Sequence, residues 1–555
     1  MAAAEDWAAS GDGVLFWLYW ASDPGGRRLL MAAVLALAAW AVVRWLDSSG
    51  PQGLKPVGRL GARVVKLLGS VPVMILALAC ALLPHAVAPM QRPDATGKPT
   101  VVFILLDTVR LDHLGWGGAE LDTSPRIDVL ARDGAAFTQN ISQAPWTKPS
   151  VAAMVTGAIP GRTGATGRRG PLLPRNRTLA EAFASAGYRT HGLSSNPNIA
   201  GPFGFRQGFL GWYEDTTAWC DELIPRGVEW LAAGGDQPSL LYLHLNDAHY
   251  PYAAPDGYRG RFNHTGLEPE LTGQSETAFR HSLGATFTPE EVEAMRLAYA
   301  EEIRWLDDQV GALVEELLAT RDDVLVVITS DHGEEFLEHG DLGHGHALHE
   351  ELIRIPLQFA WSPALGEKLG LVAGRHDGQV RQMDVMPTLL ELAGLEWPEG
   401  APVMDGISLA PILRGEVDEV HRPAFSETDS VGSPISGPTG PLRSWREEDW
   451  KLVETDPWAE DTAGRLWLYR LAADPGERRN LAPEERDRLA AMREALRASG
   501  FLLQPGDREA SNVALSAAEA ANLAALGYAE DDQSGMLEGE PYLDPKAVPW
   551  LEVED

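Results

Sequence analysis

From Thr100 onward, short runs of aliphatic and β-branched residues alternate with segments bearing helix-start signals, which restricts the chain to a layered α/β architecture. TVVFILLD (100–107) reads as a strand, and Ser124-Pro125 then opens a helix that ends before Gly134. Thr178 with Glu181, and Thr288 with Glu291, have capping-box spacing, and Pro289 suits a first helical position. SLLYLHLND (239–247) and VLVVITSD (324–331) are further strands. The alternation predicts a mostly parallel central sheet with helices on both faces. In such sheets ligands gather outside the carboxyl ends of the strands. Three strands end in polar candidates: Asp107, the stretch from Asp247 to His249, and Asp331-His332.

The first hundred residues follow a different pattern. Leu29 to Leu46 (LLMAAVLALAAWAVVRWL) is interrupted only by Arg44 near its end, and Leu67 to Pro89 is uncharged apart from His85. Each run is long enough to cross a bilayer core of roughly 30 Å as a helix. Arg44, Lys55, Arg59, Arg63 and Lys66 lie between the two runs, against Arg27 and Arg28 before the first. The positive-inside asymmetry therefore puts the connecting loop in the cytoplasm and everything after residue 90 outside it. A cleaved signal peptide fits less well, because the first apolar stretch begins late and lacks a small-residue cleavage site.

Composition excludes some partners. With 79 acidic against 46 basic residues, the formal charge of -33 argues against nucleic acid, whose phosphates are bound by Lys and Arg surfaces. Cys80 and Cys220 are the only cysteines, too few for a disulfide framework or a cysteine-built zinc site.

The chemistry is concentrated in VVITSDHGEEFLEHGDLGHGHALHEELIRIP. Here the strand-end pair Asp331-His332 is followed by His339, His344, His346 and His349, five of the 14 histidines in the chain. That concentration points to a metal or anion site. Carboxylate oxygen with imidazole nitrogen suits Zn, Mn or a similar divalent ion, whereas a pure oxygen cage favours Ca or Mg. In PWTKPSVAAMVTG (145–157), Thr147 and Pro149 stand at the start of a small-residue helix. Thr147 is either a simple N-cap or a nucleophile. In the second case an ion held by Asp107, Asp331 and His332 also touches the hydroxyl, and the helix N-terminus attracts an anionic substrate.

These segments resemble the sulfatase branch of the alkaline phosphatase superfamily. LDTVRLDHLG, PWTKPS, DAHYPY, SDHGEEFLEHG, GHGHALHEELIRIP, QMDVMPTLLELAGL and DGISLAPIL fall in the family order within about residues 99 to 490. LWLYRLAADPGERRNLA is similar to the family's closing hairpin. The resemblance implies an alkaline phosphatase-like fold in which Asp107, Thr147, Asp331 and His332 bind a divalent ion (Zn, Mn or Ca). It leaves room for a second ion at Asp247, His249 and His344. It further implies Thr147 as the attacking group and His249, His344 and His346 as catalytic groups. Asn196, His249 and His346 would contact substrate, with His346 standing where many sulfatases place a lysine.

Two departures bear on the reaction. Thr147, Pro149 and Val151 replace the C/S-x-P-x-R pattern, so no formylglycine forms, and Thr108 replaces the second Asp of the paired carboxylates in calcium sulfatases. A formylglycine diol releases sulfate by collapsing to the aldehyde; a threonine ester has no such route and is opened by attack at phosphorus or sulfur. The expected activity is metal-dependent hydrolysis of sulfate or phosphate/phosphonate esters through a covalent Thr147 intermediate, on a small-molecule, glycan or lipid substrate. The alternative is a membrane-bound phosphoglycerol or phosphoethanolamine transferase using the same threonine. The expected organisation is an anchor of two transmembrane helices (1–98), the catalytic α/β domain (99–415), a small α+β subdomain (416–528) and an acidic tail (529–555).

Overall fold

Seven consecutive buried residues make β1 (Thr100–Leu106). Val101, Phe103 and Leu105 enter one hydrophobic cluster, and Val102, Ile104 and Leu106 enter another, because successive strand side chains point to opposite faces. An unbroken apolar run is therefore what a strand covered on both sides requires. The computed structural model describes residues 93–267, 287–429, 441–455, 465–503, 513 and 523. The apolar runs at 29–46 and 67–89, on which the expected anchor rests, lie outside the described residues, as does the tail at 529–555. Among the described residues no helix is long and apolar enough to cross a membrane.

The central sheet gathers β1, β2 (Ala135–Ile141), β3 (Arg189–Ser194), β4 (Gly211–Glu214), β5 (Ser239–Leu245) and β6 (Val324–Thr329). After a two-stranded ribbon of β7 (Glu335–Phe336) and β8 (Leu342–Gly343), the chain adds β9 (Arg354–Trp361) and β10 (Gly374–Arg381). The order is β10-β2-β9-β6-β1-β5-β3-β4. All neighbours pair in parallel except β9, which runs antiparallel to both β2 and β6. The reversal has a local cause. A parallel return needs a crossover, usually a helix, whereas the segment after β6 stays at the carboxyl edge of the sheet and re-enters beside it directly.

Helices cover both faces as expected. On one side lie α1 (Pro125–Asp133), α4 (Cys220–Ala232) and α5 (Pro289–Thr320); on the other lie α2 (Thr147–Thr156), α3 (Leu179–Ser185) and α6 (Val385–Leu392). Both expected capping boxes form: Thr178 Oγ1 accepts from Glu181 N ahead of α3, and Thr288 Oγ1 accepts from Glu291 N ahead of α5. Each such cap is worth about 1 kcal/mol.

A second, antiparallel sheet follows in the order β11 (Ala424–Thr428), β12 (Leu442–Glu447), β13 (Trp450–Thr455), β14 (Leu466–Arg470). It packs on α7 (Arg486–Ala498) through Phe425, Trp445, Leu452, Leu468, Met492 and Leu496.

Candidate active site

β1 is flanked by β5 and β6, so the residues that leave the carboxyl ends of these three strands meet at the middle of the sheet edge. Asp107 follows β1 and Asp331-His332 follows β6. All three are wholly buried. One ligand atom from each lies within 4.8 Å of the other two.

Hydrogen bonding decides which atoms of this trio are left over. His332 Nδ1 donates to Gly333 O at 2.9 Å, so the neutral ring carries its lone pair on Nε2. That nitrogen lies 3.4 Å from Asp331 Oδ2 and 3.8 Å from Asp107 Oδ1. Both of those oxygens are buried without a hydrogen-bond partner. The other oxygen of each carboxylate is occupied. Asp107 Oδ2 accepts from His244 Nε2 at 2.6 Å and from Asn196 Nδ2 at 2.5 Å, and Asp331 Oδ1 accepts from His332 N at 3.0 Å. Burial and the nearby Asp107 carboxylate push Asp331 above the usual carboxylate range. Burial opposes ionisation of Asp107 too, yet the hydrogen bond and charge of His244 hold it below that range. Two carboxylates turned toward one gap, each with an orphaned oxygen, fit a divalent cation, whose ligand distances of about 2.0–2.2 Å span such separations.

Thr147 completes the set from the other side. The residue ahead of α2 is Trp146, which makes no side-chain cap bond, and Thr147 is the first helical residue. Its hydroxyl is therefore not an N-cap: Oγ1 lies 3.3 Å from His332 Nε2 and accepts from Asn196 Nδ2 at 3.5 Å. Helix and ligand loop are fastened together beneath it. Ser150 Oγ, one turn along α2, and Ser142 Oγ both donate to Asp331 O at 2.7 Å.

Asn196, His249 and His344 surround this centre. Asn196 caps the turn at Pro197–Ile199, its Oδ1 accepting from Asn198 N at 2.7 Å, while Nδ2 reaches Asp107, Thr147 and, at 3.0 Å, Asn246 Oδ1. His249 Nδ1 donates to Tyr250 O at 2.7 Å; its Nε2 is buried without a partner. Burial lowers the pKa of His249 and takes that of His344 well below the usual imidazole value. The His344 ring stands 4.3 Å from that of His332 and 5.0 Å from that of His249, and its Nδ1 donates to Glu334 Oε1 at 3.0 Å.

Three further residues named from the sequence lie as follows. His346 donates Nε2 to Glu335 Oε2 at 2.7 Å, and it is His344 that faces His249 and His332. Glycines flank His344 and allow the backbone to turn it inward while His346 takes a different direction; Gly343 and Gly345 have φ of +83° and +94°. Asp247 does not join His249 and His344 in a three-ligand group. Its Oδ1 accepts from Cys220 N at 2.9 Å, at the start of α4, and from Trp305 Nε1 at 3.2 Å. Thr108, at the position of the missing second carboxylate, adopts a left-handed φ of +59°. Its hydroxyl sits 2.7 Å from Asp107 O and 2.9 Å from Ala248 O, turned to backbone.

Sequence reading missed His244, Asn246 and Glu334. Period two along β5 was the available signal, since Tyr242, His244 and Asn246 share one face. Tyr242 Oη donates to His244 Nδ1 at 3.0 Å, so Nε2 carries the proton given to Asp107.

Known proteins carry the same architecture. The phosphonate monoester hydrolase of Agrobacterium radiobacter superposes with a TM-score of 0.60 at 21% identity, covering 73% of this chain and 95% of that one. The choline-sulfatase of Rhizobium meliloti is 28% identical over 453 residues, 70% of this chain and 84% of that protein. The ulvan-active sulfatase of Formosa agariphila is 24% identical over 431 residues, 71% and 78% of the two chains. The Sulfatase family itself matches residues 99–395, which include Asp107, Thr147 and Asp331-His332. The chain therefore belongs to the sulfatase family of ester hydrolases, built on the alkaline phosphatase-like fold.

Proposed function

We propose that this sulfatase-like hydrolase cleaves phosphate, phosphonate or sulfate monoesters by transferring the phosphoryl or sulfuryl group to Thr147 and then to water. The observation that carries the reading is the convergence of Thr147 Oγ1 with the orphaned oxygens of Asp107 and Asp331 and with His332 Nε2. Asp107, Thr147, Asp331 and His332 would hold a divalent ion, which would supply Lewis-acid polarisation of the ester oxygen and lower the pKa of the threonine hydroxyl.

In the first half, Thr147 Oγ1 forms its bond to phosphorus (or sulfur) as the bond to the leaving oxygen breaks. The proton lost by Thr147 ends on the leaving oxygen, passed by His249 or His344. Burial disfavours the charged form of both rings, so a proton taken up there is readily passed on to the leaving oxygen. In the second half, water attacks phosphorus, His249 Nε2 takes its proton, and the Thr147 oxygen leaves and is reprotonated. Asn196 Nδ2, already within reach of Thr147 Oγ1, orients that oxygen and faces negative charge that develops there. The absence of the formylglycine pattern favours phosphorus over sulfur, because a threonine ester must be opened by direct displacement.

The choline-sulfatase, ulvan-active sulfatase and phosphonate monoester hydrolase relatives support an ester with a small-molecule or glycan leaving group. Residues 1–98 are proposed to anchor the hydrolase in the membrane, with the catalytic domain on the extracytoplasmic face. Transfer to an acceptor alcohol, as in phosphoglycerol or phosphoethanolamine transferases, shares the first half-reaction and differs only in what accepts the group. The test is a panel of aryl sulfate, phosphate monoester, phosphodiester and phosphonate ester, with wild type and Thr147→Ala after exchange into Zn, Mn or Ca. Metal-dependent turnover of at least one phosphorus ester, lost in Thr147→Ala, is expected; equal turnover by the variant overturns the proposal. Glycerol added as acceptor separates the two outcomes of the second half, since a transferase forms the glycerol ester in preference to free phosphate.

A further inference from the structure

The segment that carries Asp331, His332 and His344 holds a second set of metal-binding side chains outside the site described above. His339 and His349 stack with ring centroids 3.5 Å apart and 14° between their planes. Glu351 directs Oε1 toward both, 2.6 Å from His339 Nδ1 and 3.9 Å from His349 Nδ1. One ligand atom from each of the three lies within 4.8 Å of the other two.

A hydrogen bond from His339 to Glu351 accounts for two of these residues and leaves the third unexplained. Among the described residues His349 Nδ1 is buried with no hydrogen-bond partner, an unfavourable arrangement unless a ligand fills it. His339 donates from both ring nitrogens, Nδ1 to Glu351 and Nε2 to Gly476 O at 3.1 Å, so a cation would enter by displacing the Nδ1 proton while the Gly476 bond holds the ring in place. Side-chain exposures of 11%, 17% and 8% for His339, His349 and Glu351 leave a path from solvent.

We propose that His339, His349 and Glu351 bind a second divalent cation of the zinc class. Two imidazole nitrogens and one carboxylate favour zinc, cobalt or nickel over manganese or calcium, whereas the catalytic set offers three oxygens and one nitrogen. The ion ties residue 339 to residues 349 and 351, the two ends of the turn that presents His344. Through the Gly476 carbonyl it also fastens that turn to the segment after β14. The site acts as a structural staple for the active-site loop, and it does not depend on which ester is cleaved.

The test uses the full-length chain in detergent, stripped with EDTA and reloaded with Zn or Co, with metal counted per chain after gel filtration. Wild type is expected to retain two equivalents. His349→Gln, Glu351→Gln and Asp331→Asn are each expected to retain one, and the double variant Asp331→Asn with His349→Gln none. Asp331→Asn loaded with Co isolates the proposed site and is expected to show a visible d–d absorption band that His349→Gln removes. Far-UV circular dichroism verifies that each variant is folded. A wild type that holds one equivalent, lost in Asp331→Asn, overturns the second site and leaves the catalytic reading intact. Two equivalents retained by folded His349→Gln and Glu351→Gln overturn it as well.

Discussion

Two buried charge clusters in this protein have opposite designs. At the carboxyl edge of the main sheet, Asp107 and Asp331 each present an oxygen that no group among the described residues satisfies. At the junction with the small sheet, Glu350 is ringed by cations: Arg446 Nε and Nη2 each donate at 3.1 Å and Lys451 Nζ approaches to 3.3 Å. Lys451 also pairs with Glu477 at 2.8 Å, and Glu477 in turn accepts from Glu350 N at 2.7 Å. Burial works against ionisation of Glu350, yet Arg446 and Lys451 hold its carboxyl below the usual range. Asp331, with another carboxylate as its neighbour, is pushed up. The contrast separates buried charge paired within the protein from buried carboxylates placed where a divalent ion could sit.

The comparison breaks most visibly in activity. Thr147→Ala removes the acceptor atom and is expected to lower kcat on the order of 10⁴-fold with the fold unchanged, measured by steady-state turnover beside circular dichroism. A loss below tenfold would place the chemistry elsewhere. Stability gives the next largest effect and has opposite signs in the two clusters. Lys451→Met uncovers Glu350 and Glu477 and is expected to destabilise by about 3–5 kcal/mol in denaturant unfolding. Asp331→Asn in EDTA-treated protein relieves a repulsion and is expected to leave Tm unchanged or raise it. Equal losses in both variants would erase the distinction.

His244→Ala tests the metal-binding side of this contrast. It removes the proton donor that occupies Asp107 Oδ2, and the affinity for the divalent ion is expected to fall about 10- to 100-fold in a chelator competition. An unchanged affinity would reduce His244 to a packing residue. The smallest effect is a pH dependence. Burial opposes charge on His346, but Asp341 and the hydrogen bond to Glu335 raise it to about 9, and burial raises Glu335 as well, so the pair holds its proton tightly. Because the folded value exceeds the unfolded one of roughly 6.5, the stabilisation is complete below that pH and is lost as pH rises through about 9. Melting temperatures of wild type should fall across that window, and those of His346→Gln should stay flatter.

Much of this was legible before any coordinates. Asp107 and Asp331-His332 stand out in the sequence because each follows an apolar strand, and the structure brings the three together. Thr147 needed the family resemblance in addition, since a threonine before a helix is most often a cap and only the position of Trp146 excludes that here. His244 is easily passed over because β5 reads as a strand buried on both faces, although the alternation of Tyr242, His244 and Asn246 marks one of them as polar. His344 and His346 were hard to tell apart from sequence, as two glycines let the chain turn between them. The direction of β9 was not legible either. Alternation of strands and helices gives no sign that the ligand-bearing segment returns without a crossover.

The claim on which the rest depends is that Thr147 receives the transferred group. Rapid quench of the metal-loaded enzyme with an aryl phosphate or phosphonate ester, followed by peptide mass spectrometry, addresses it directly. A transient adduct of phosphoryl or phosphonyl mass is expected on the peptide containing Thr147, formed in a burst with release of the aryl alcohol and absent from Thr147→Ala. An adduct on another residue, or a burst of aryl alcohol that persists in Thr147→Ala, would contradict it.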